Sequence, residues 1–107
     1  MVTIDDFLKL ELKVGTVLEA SDIEDSEKLI KLIVDLGEEK PRQILAGVKQ
    51  WYKPEDFLGK QVIVVANLEP KIMMGLESRG MILAASCDDS PVFLTPSKKV
   101  PPGAKIR

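Results

Sequence analysis

Two basic side chains, Lys71 and Arg79, lie within the segment NLEPKIMMGLESRGM (67–81), which also contains three consecutive large apolar residues, Ile72-Met73-Met74. The apolar run QVIVVA precedes this segment, and the run MILAA begins at its last residue. Basic side chains in a loop can contact phosphate groups. The segment is therefore a candidate binding site, and its function depends on where the neighbouring strands place it.

Residue types that support catalysis are scarce in the chain. It has no histidine and a single cysteine, Cys87, so the commonest general base is absent and a thiolate zinc site cannot form. The phosphate-binding glycine motifs and the G-x-S-x-G motif are also absent. The acid pairs Asp5-Asp6 and Asp88-Asp89 are typical of solvated turns. The sequence predicts a binding domain with no catalytic residues, no metal site and no cofactor.

Acidic and basic residues are unevenly distributed along the chain. Residues 1–39 hold eleven acidic and four basic side chains, a net charge of −7, whereas residues 40–107 hold six acidic and eleven basic side chains, a net charge of +5. Such an asymmetry indicates one basic surface on an otherwise acidic body.

Length and composition predict one globular domain over residues 1–107, since this chain can bury one modest core. No apolar run approaches the roughly 20 residues that cross a bilayer, so no membrane association is expected. The first ten residues, MVTIDDFLKL, carry acids where a signal peptide has bases. A single cysteine is typical of a reducing compartment, and we expect a cytoplasmic protein.

Hydrophobic periodicity and turn residues predict an all-β domain. The expected elements are a helical turn over 3–10 capped by Thr3, strands over 12–20, 29–37 and 43–47, a short helix over 51–59, strands over 61–67 and 80–86, and a short strand over Val92 to Thr95. Five strands with a helix between the third and the fourth match an OB-fold, a five-stranded Greek-key barrel, here with a C-terminal extension. A small all-β sandwich is the alternative.

Several finer features follow from this assignment. Gly15 predicts a bulge in the first strand, and the runs 61–67 and 80–86 predict strands covered on both faces. Trp51 and Tyr52 are expected in the core. Ile72 and Met73 are expected to cover the barrel end, with Met74 either joining them or exposed.

The residues near the binding face of an OB-fold favour phosphate contacts over base stacking. OB-folds bind ligands with strands 2 and 3 and with the loop between strands 4 and 5, and no aromatic residue lies in these segments. The basic residues in or near them are Lys28, Lys31, Lys40, Arg42, Lys49, Lys71 and Arg79. Such a surface recognises the shape of a nucleic acid more than its sequence.

Five stretches, LKVGTV, KLIKLIVDLG, RQILAG, VVANLEPKIMMGLESRGMILAAS and VPPGAKI, resemble one group of tRNA-binding domains. These domains occur at the C-terminus of many methionyl-tRNA synthetases, as their beta subunit, and as free-standing dimeric tRNA-binding proteins. The resemblance covers nearly all of residues 3–106, and its most diagnostic part runs from Asn67 to Met81.

The resemblance implies an OB-fold that binds tRNA by its overall shape, alone or with the catalytic part of methionyl-tRNA synthetase. It implies tRNA-binding roles for Lys31 and Arg42 on the barrel face and for Asn67, Lys71, Ser78 and Met81 in the segment between strands 4 and 5; Arg79 is added from its charge. It also implies a homodimer in which the extra C-terminal segment completes each subunit. Whether the chain is free-standing or one domain of a synthetase stays open.

The chain departs from this family at three places. Many members have a basic residue at Met74, a serine at Ala46 and a histidine-proline turn in place of IEDSE (23–27). The loss of a cation at position 74 bears on tRNA affinity. A related export-associated chaperone shares most of the motifs, so a peptide-binding protein is the alternative function.

Overall fold

The computed structural model describes residues 1–107, which begin with a short helix, α1 (Ile4–Leu8). The backbone N–H of Asp6 donates to Thr3 Oγ1, and the N–H of Thr3 donates to a carboxylate oxygen of Asp6, both at 3.2 Å. This reciprocal capping box defines where the helix begins. The cap predicted at Thr3 is confirmed.

Nine strands follow, most of them in one antiparallel sheet. In chain order they are β1 (Leu12–Asp22), β2 (Ile30–Asp35), β3 (Arg42–Ala46), β4 (Gln61–Val65), β5 (Lys71–Met73), β6 (Leu76–Ser78), β7 (Met81–Ile82), β8 (Ala84–Cys87) and β9 (Ser90–Phe93). The main sheet has the order β3-β2-β1-β4-β7, and the pairs β5-β6 and β8-β9 are separate hairpins.

The two edges of the main sheet come together at the residues just before β7. The N–H of Arg79 donates to the carbonyl of Gln43 in β3 at 2.9 Å, and the hydroxyl of Ser78 accepts from the N–H of Leu45 at 3.0 Å. These bonds bring the five strands into a nearly closed barrel. The predicted all-β OB-fold is confirmed.

The barrel interior is filled by the alternating apolar residues of β2 and by their partners on the other strands. Ile30, Leu32 and Val34 are fully buried, while the residues between them are only partly buried. The complete core cluster is Val17, Ile30, Leu32, Val34, Leu36, Ile44, Ala46, Val48, Phe57, Val62, Val64 and Ala66. All five residues of β4 and the following Ala66 are buried, as the sequence predicted, whereas Asn67 at the end of the predicted range is exposed.

The helix predicted over 51–59 is only one 3-10 turn, Pro54–Asp56. Lys53 precedes a proline and is extended, with φ −103° and ψ 157°, so the helix cannot begin earlier. Phe57 after the turn is fully buried, and its ring centroid lies 5.2 Å from that of Tyr52 and 4.9 Å from that of Phe93. Trp51 is 47% exposed, so its predicted core position is wrong.

The strand predicted over 80–86 is divided at Leu83. Its first part, β7, pairs with β4, whereas the second part, β8, turns away and pairs with β9 through a tight turn at Asp88 and Asp89, both of which have positive φ. All four residues of β8 are exposed in the single chain. Within one chain, residues 84–86 of the predicted strand are therefore not covered.

The C-terminal extension is bonded along the first half of β1. The N–H of Gly103 and the N–H of Ile106 donate to the carbonyls of Val14 and Leu12, and the N–H of Val14 donates to Ala104, at 2.7 to 2.9 Å. The part of β1 that pairs with β4 but not with β2 thus acquires partners from the tail. The tail is irregular, as predicted, yet it completes the sheet.

Gly15 is required by packing rather than by a bulge. The register shift in β1 lies between Val17 and Glu19, so the bulge predicted at Gly15 occurs three residues later, at Leu18. A Cβ atom at position 15 would lie 2.4 Å from Val34 Cγ1 and 3.0 Å from Leu36 Cδ2. Both of these side chains are buried, so neither has room to move away.

We predict that Gly15→Ala lowers the free energy of unfolding by about 1–3 kcal/mol, the typical cost of adding a methyl group to a filled core. Urea denaturation measures the effect. Gly47→Ala is the matched control, because no atom lies within 4 Å of a Cβ at position 47. Equal stability of the two variants would contradict this explanation of Gly15.

Candidate functional site

The segment between β4 and β7 is a hairpin rather than an open loop. Strands β5 and β6 pair Lys71 with Ser78 and Met73 with Leu76, and the turn between them is Met74-Gly75. Both turn residues have positive φ, 52° and 76°, as in the two-residue turns that match strand twist. Ile72 is 65% exposed, so the prediction that it covers the barrel end is wrong. Met74 is at the exposed tip.

Two polar side chains attach this hairpin to strand β3. The hydroxyl of Ser78, which is only 4% exposed, accepts from Leu45 N–H and donates to the carbonyl of Gly80 at 3.2 Å. The amide of Gln43 donates to the carbonyl of Glu77 at 2.9 Å. The buried hydroxyl of Ser78 therefore positions the hairpin against β3. Gln43 was absent from the predicted site, although its position in a strand next to a binding loop was a usable signal.

Arg42 lies at the barrel end, where its guanidinium group joins three segments. Its Nε and Nη2 atoms donate to both carboxylate oxygens of Glu38 at 2.7 Å, and Nη1 donates to the carbonyls of Ala66 and Arg79 at 2.6 and 3.2 Å. It shares strand parity with Ile44, which faces the core. The Arg42 side chain thus lies at the barrel end, on the same face of β3 as Ile44.

The ion pair with Arg42 shifts the acid–base properties of both partners. Hydrogen bonds from the guanidinium group hold the pKa of Glu38 below its ordinary value of 4.5, against the opposing effect of burial. The hydrogen bonds to Glu38 raise the pKa of Arg42 in turn. The pair is bidentate and its arginine is mostly buried, so it fixes geometry better than an isolated surface pair does.

Asn67 connects the start of the same segment to the chain that enters β1. Its Oδ1 accepts from the N–H of Glu11 at 2.8 Å, and its Nδ2 donates to the carbonyl of Lys9 at 2.7 Å. The side-chain amide thereby satisfies two backbone groups that lack a strand partner. The residue implied as a binding residue has a positioning function in the single chain.

Three of the predicted residues meet in one small cavity between the hairpin and β3. Its volume is about 200 Å³, and Lys71, Ser78 and Met81 contribute to its walls. Leu45, Leu68, Glu69, Met73 and Gly80 complete the lining. Lys71 forms no ion pair, so its charge is free for a ligand. None of the five aromatic side chains lines this cavity.

Lys31 lies beside this cavity on the outer face of the sheet. It is directly opposite Leu45 in the pairing of β2 and β3, and Leu45 is one wall of the cavity. Residues paired in this way have Cβ atoms about 5 Å apart. Lys31 thus neighbours the hairpin cavity through Leu45, while it lines a separate cavity of about 450 Å³ with residues of β1, Ile33 and Leu58.

The remaining basic residues contribute unequally to this surface. Arg79 is half-exposed and only 3.9 Å from Glu77, a weak pair. Lys28 lines a separate cavity of about 470 Å³ with Met73 and Met74. Lys49 donates to the carbonyl of Ser26 at 2.7 Å and lies 3.8 Å from Asp22, so it is engaged within the chain.

Residues of the kind that hold a metal do not gather anywhere in the structure. No group of three or more histidine, cysteine, aspartate or glutamate side chains is arranged to hold an ion. The chain also has no helix with the length and hydropathy of a membrane span.

The fold and the site define an OB-fold barrel with a basic, non-aromatic binding surface. A family model described as a putative tRNA binding domain matches residues 12–105. The chain therefore belongs to this family, and the resemblance seen in its motifs is confirmed.

Two kinds of relatives accompany this match. Methionine–tRNA ligase of Methanothrix thermoacetophila is 54% identical over 107 residues, which are 100% of this chain and 16% of that enzyme. The chain therefore spans about a sixth of the length of this curated relative. Among solved structures, a MetRS-related protein from Pyrococcus horikoshii is 39% identical, with a TM-score of 0.93 over 100% of this chain and 98% of that one.

A solved structure with a different description is also similar. The chaperone CsaA from Bacillus anthracis is 34% identical, with a TM-score of 0.89 over 100% of this chain and 99% of that one. The barrel, the hairpin and the C-terminal extension thus occur in chains of almost the same length.

We predict that Glu38→Gln makes stability less dependent on pH in acid. Because the folded-state pKa of Glu38 lies below 4.5, its ion pair contributes stability above pH 4.5 that is lost as the pH falls through the folded-state value. Urea denaturation between pH 7 and pH 3 should show lower stability of the variant at pH 7 and a shallower fall below pH 4.5. Glu39→Gln, which removes an acid without an ion pair, is the control. Parallel curves for Glu38→Gln and the wild type would contradict the assignment.

Proposed function

We propose that this chain binds tRNA by its folded shape, largely independently of sequence. The observation that carries the proposal is the surface formed by the hairpin cavity and the β2–β3 face, with the unpaired Lys71 at one side and Lys31 at the other. Lysine ammonium groups bind phosphates as point charges. Without aromatic side chains on this surface, contacts to the RNA backbone dominate over stacking on bases.

The rigidity of the hairpin supports this function. Ser78 and Gln43 attach the hairpin to β3. Arg42 donates to the carbonyls of Ala66 and Arg79, which lie before and after the hairpin in the chain. A surface that is already ordered loses less conformational entropy on binding. Arg42, Asn67 and Ser78 thus serve tRNA binding by holding the cations in place.

We further propose that the domain acts with methionyl-tRNA synthetase, either as its C-terminal part or beta subunit or as a separate protein. The support is the high identity to the part of a methionine–tRNA ligase that this chain matches. In this role the domain contributes tRNA affinity, and the catalytic part of the synthetase performs the reaction in the cytoplasm. Linking two binding modules raises overall affinity without new contacts.

The first test is electrostatic. We expect the logarithm of the tRNA association constant to fall with the logarithm of salt concentration with a slope of about −2 to −5, from roughly that many phosphate contacts. Lys71→Ala and Arg79→Ala should each weaken binding about three- to tenfold at low salt, because one charge contact to a nucleic acid contributes about 1 kcal/mol, a factor of about five. Gel-shift titrations with a tRNA transcript measure both effects.

The control for this test is Lys53→Ala. Lys53 is exposed and lines none of the cavities, so its loss should leave affinity unchanged. Affinity that is constant from 50 to 200 mM salt would refute the proposal. Melting curves verify that each variant is folded.

A peptide-binding chaperone is the second candidate, and it rests on the cavity that Met73 and Met74 line and on the similarity to a chaperone structure. Methionine suits adaptable apolar binding. Met74→Arg separates the two functions, since it adds a cation at an exposed turn. It should strengthen tRNA binding and weaken binding of an apolar peptide. Unchanged tRNA affinity together with abolished peptide binding in a folded variant would favour the chaperone.

We also propose a symmetric homodimer formed by the β8–β9 hairpin. All of β8 is exposed, and Val92 and Leu94 are exposed beside it. Apolar side chains that a barrel does not cover are typical of subunit interfaces. A two-fold axis would place the same hairpin of two copies together.

Sedimentation equilibrium at micromolar concentration should give the mass of two chains. Val92→Glu should give the mass of one chain, because a buried unpaired charge opposes association. Val2→Glu places the same charge at an equally apolar and more exposed position outside the hairpin, so this variant should remain dimeric. A wild-type protein that sediments as a monomer at this concentration would refute the proposal.

A further inference from the structure

A second group of basic residues lies at the end of β4 opposite to the β5–β6 hairpin. Lys60, Lys98 and Lys99 line a cavity of about 240 Å³, together with Gly59, Gln61, Thr95 and Pro96. No acidic residue contributes to this lysine pocket, and none of its three ammonium groups forms an ion pair. Three like charges in one concave site repel each other, and an anion relieves that repulsion.

A buried glutamine holds one wall of the lysine pocket in place. Gln61 is only 7% exposed, and its Nε2 donates to Thr16 Oγ1 at 3.0 Å and to the carbonyl of Val100 at 2.7 Å. Its Oε1 accepts from the N–H of Val100 at 3.1 Å. Both backbone groups of the residue after Lys99 are thereby fixed, so the tail lysines are positioned by the barrel.

The opposite wall is held by backbone bonds to β1. The N–H of Val17 donates to the carbonyl of Lys60 at 2.9 Å, and the N–H of Gly59 donates to the carbonyl of Val17 at 3.0 Å. Lys60 therefore projects from a fixed turn rather than from a free loop. Two separately anchored segments converge on one cationic cavity, which is unlike scattered surface lysines.

The placement of the lysine pocket relates it to the proposed tRNA surface. Gln61 begins β4, and the hairpin segment follows the end of β4, so a five-residue strand separates them. At about 3.3 Å per residue this separation is about 15 Å along the strand. A large folded polyanion can contact both places, whereas a small anion can occupy only one.

We propose that the lysine pocket binds a backbone phosphate of the same tRNA, at a second place remote from the hairpin. This inference rests on the proposed function. Phosphate contacts at two separated places fix the orientation of an RNA without reading its bases. The lysine pocket thus accounts for shape selectivity, since an RNA must present phosphates at both places at once.

The test compares tRNA binding by the wild type, Lys98→Ala/Lys99→Ala and Lys60→Ala, with Lys53→Ala as the matched single-charge control. Gel-shift titrations from 50 to 200 mM salt should show the double variant about ten- to thirtyfold weaker and Lys60→Ala about three- to tenfold weaker at low salt. The slope of log K against log salt should become less negative by about 0.9 for each phosphate that the variant no longer neutralises. Unchanged affinity in both pocket variants, with a wild type that binds, would overturn the proposal and leave the tRNA function intact.

A titration with inorganic phosphate tests whether the natural ligand of the lysine pocket is an RNA phosphate or a small free anion. It is titrated at constant ionic strength while the amide resonances of Gly59 and Lys60 are followed by NMR. Saturable millimolar binding combined with unchanged tRNA affinity in the pocket variants would identify a small-anion site and overturn the RNA assignment. A wild type that binds no tRNA would refute the proposed function and with it the RNA assignment, and the phosphate titration then decides whether the lysine pocket is an anion site.

Discussion

Closure of the barrel at the end of β3 is the constraint on which the functional surface depends. An OB-fold leaves two strand edges to be joined, and here the join is made by Arg79 N–H to Gln43, Ser78 Oγ to Leu45 and Arg42 to Ala66. Polar groups in such a join must be paired, because an unpaired buried donor or acceptor costs about 1–3 kcal/mol. No buried side-chain polar atom in the chain lacks a partner.

The same bonds decide how the basic residues are used. Arg42 uses its donors on Glu38, Ala66 and Arg79, so it holds the site instead of offering a free charge. Lys71 and Lys31 keep free ammonium groups on the surface that this closure creates. Folding and the proposed tRNA binding therefore share one set of interactions, in which buried polar groups position the exposed cations.

Sequence patterns predicted the parts of this structure that depend on local periodicity. The alternation of Ile30, Leu32 and Val34 identified the core face of β2, and the order of strands identified the barrel. The motifs between Asn67 and Met81 indicated the family that the comparison confirmed. The binding roles of individual residues stay predictions, although the structure does place Lys71, Ser78 and Met81 around one cavity.

The sequence by itself determined the four longest strands, β1 to β4, and the core-facing residues of β2, because a period of two is a local property of the chain. Only the tertiary structure decided that Ile72 and Trp51 are exposed, that β8 leaves the barrel, and that Gln61 brings the tail lysines to Lys60. These features depend on how segments far apart in the chain come together in space. Periodicity contains no information about such contacts, since they arise only when the barrel closes and its free backbone groups find partners.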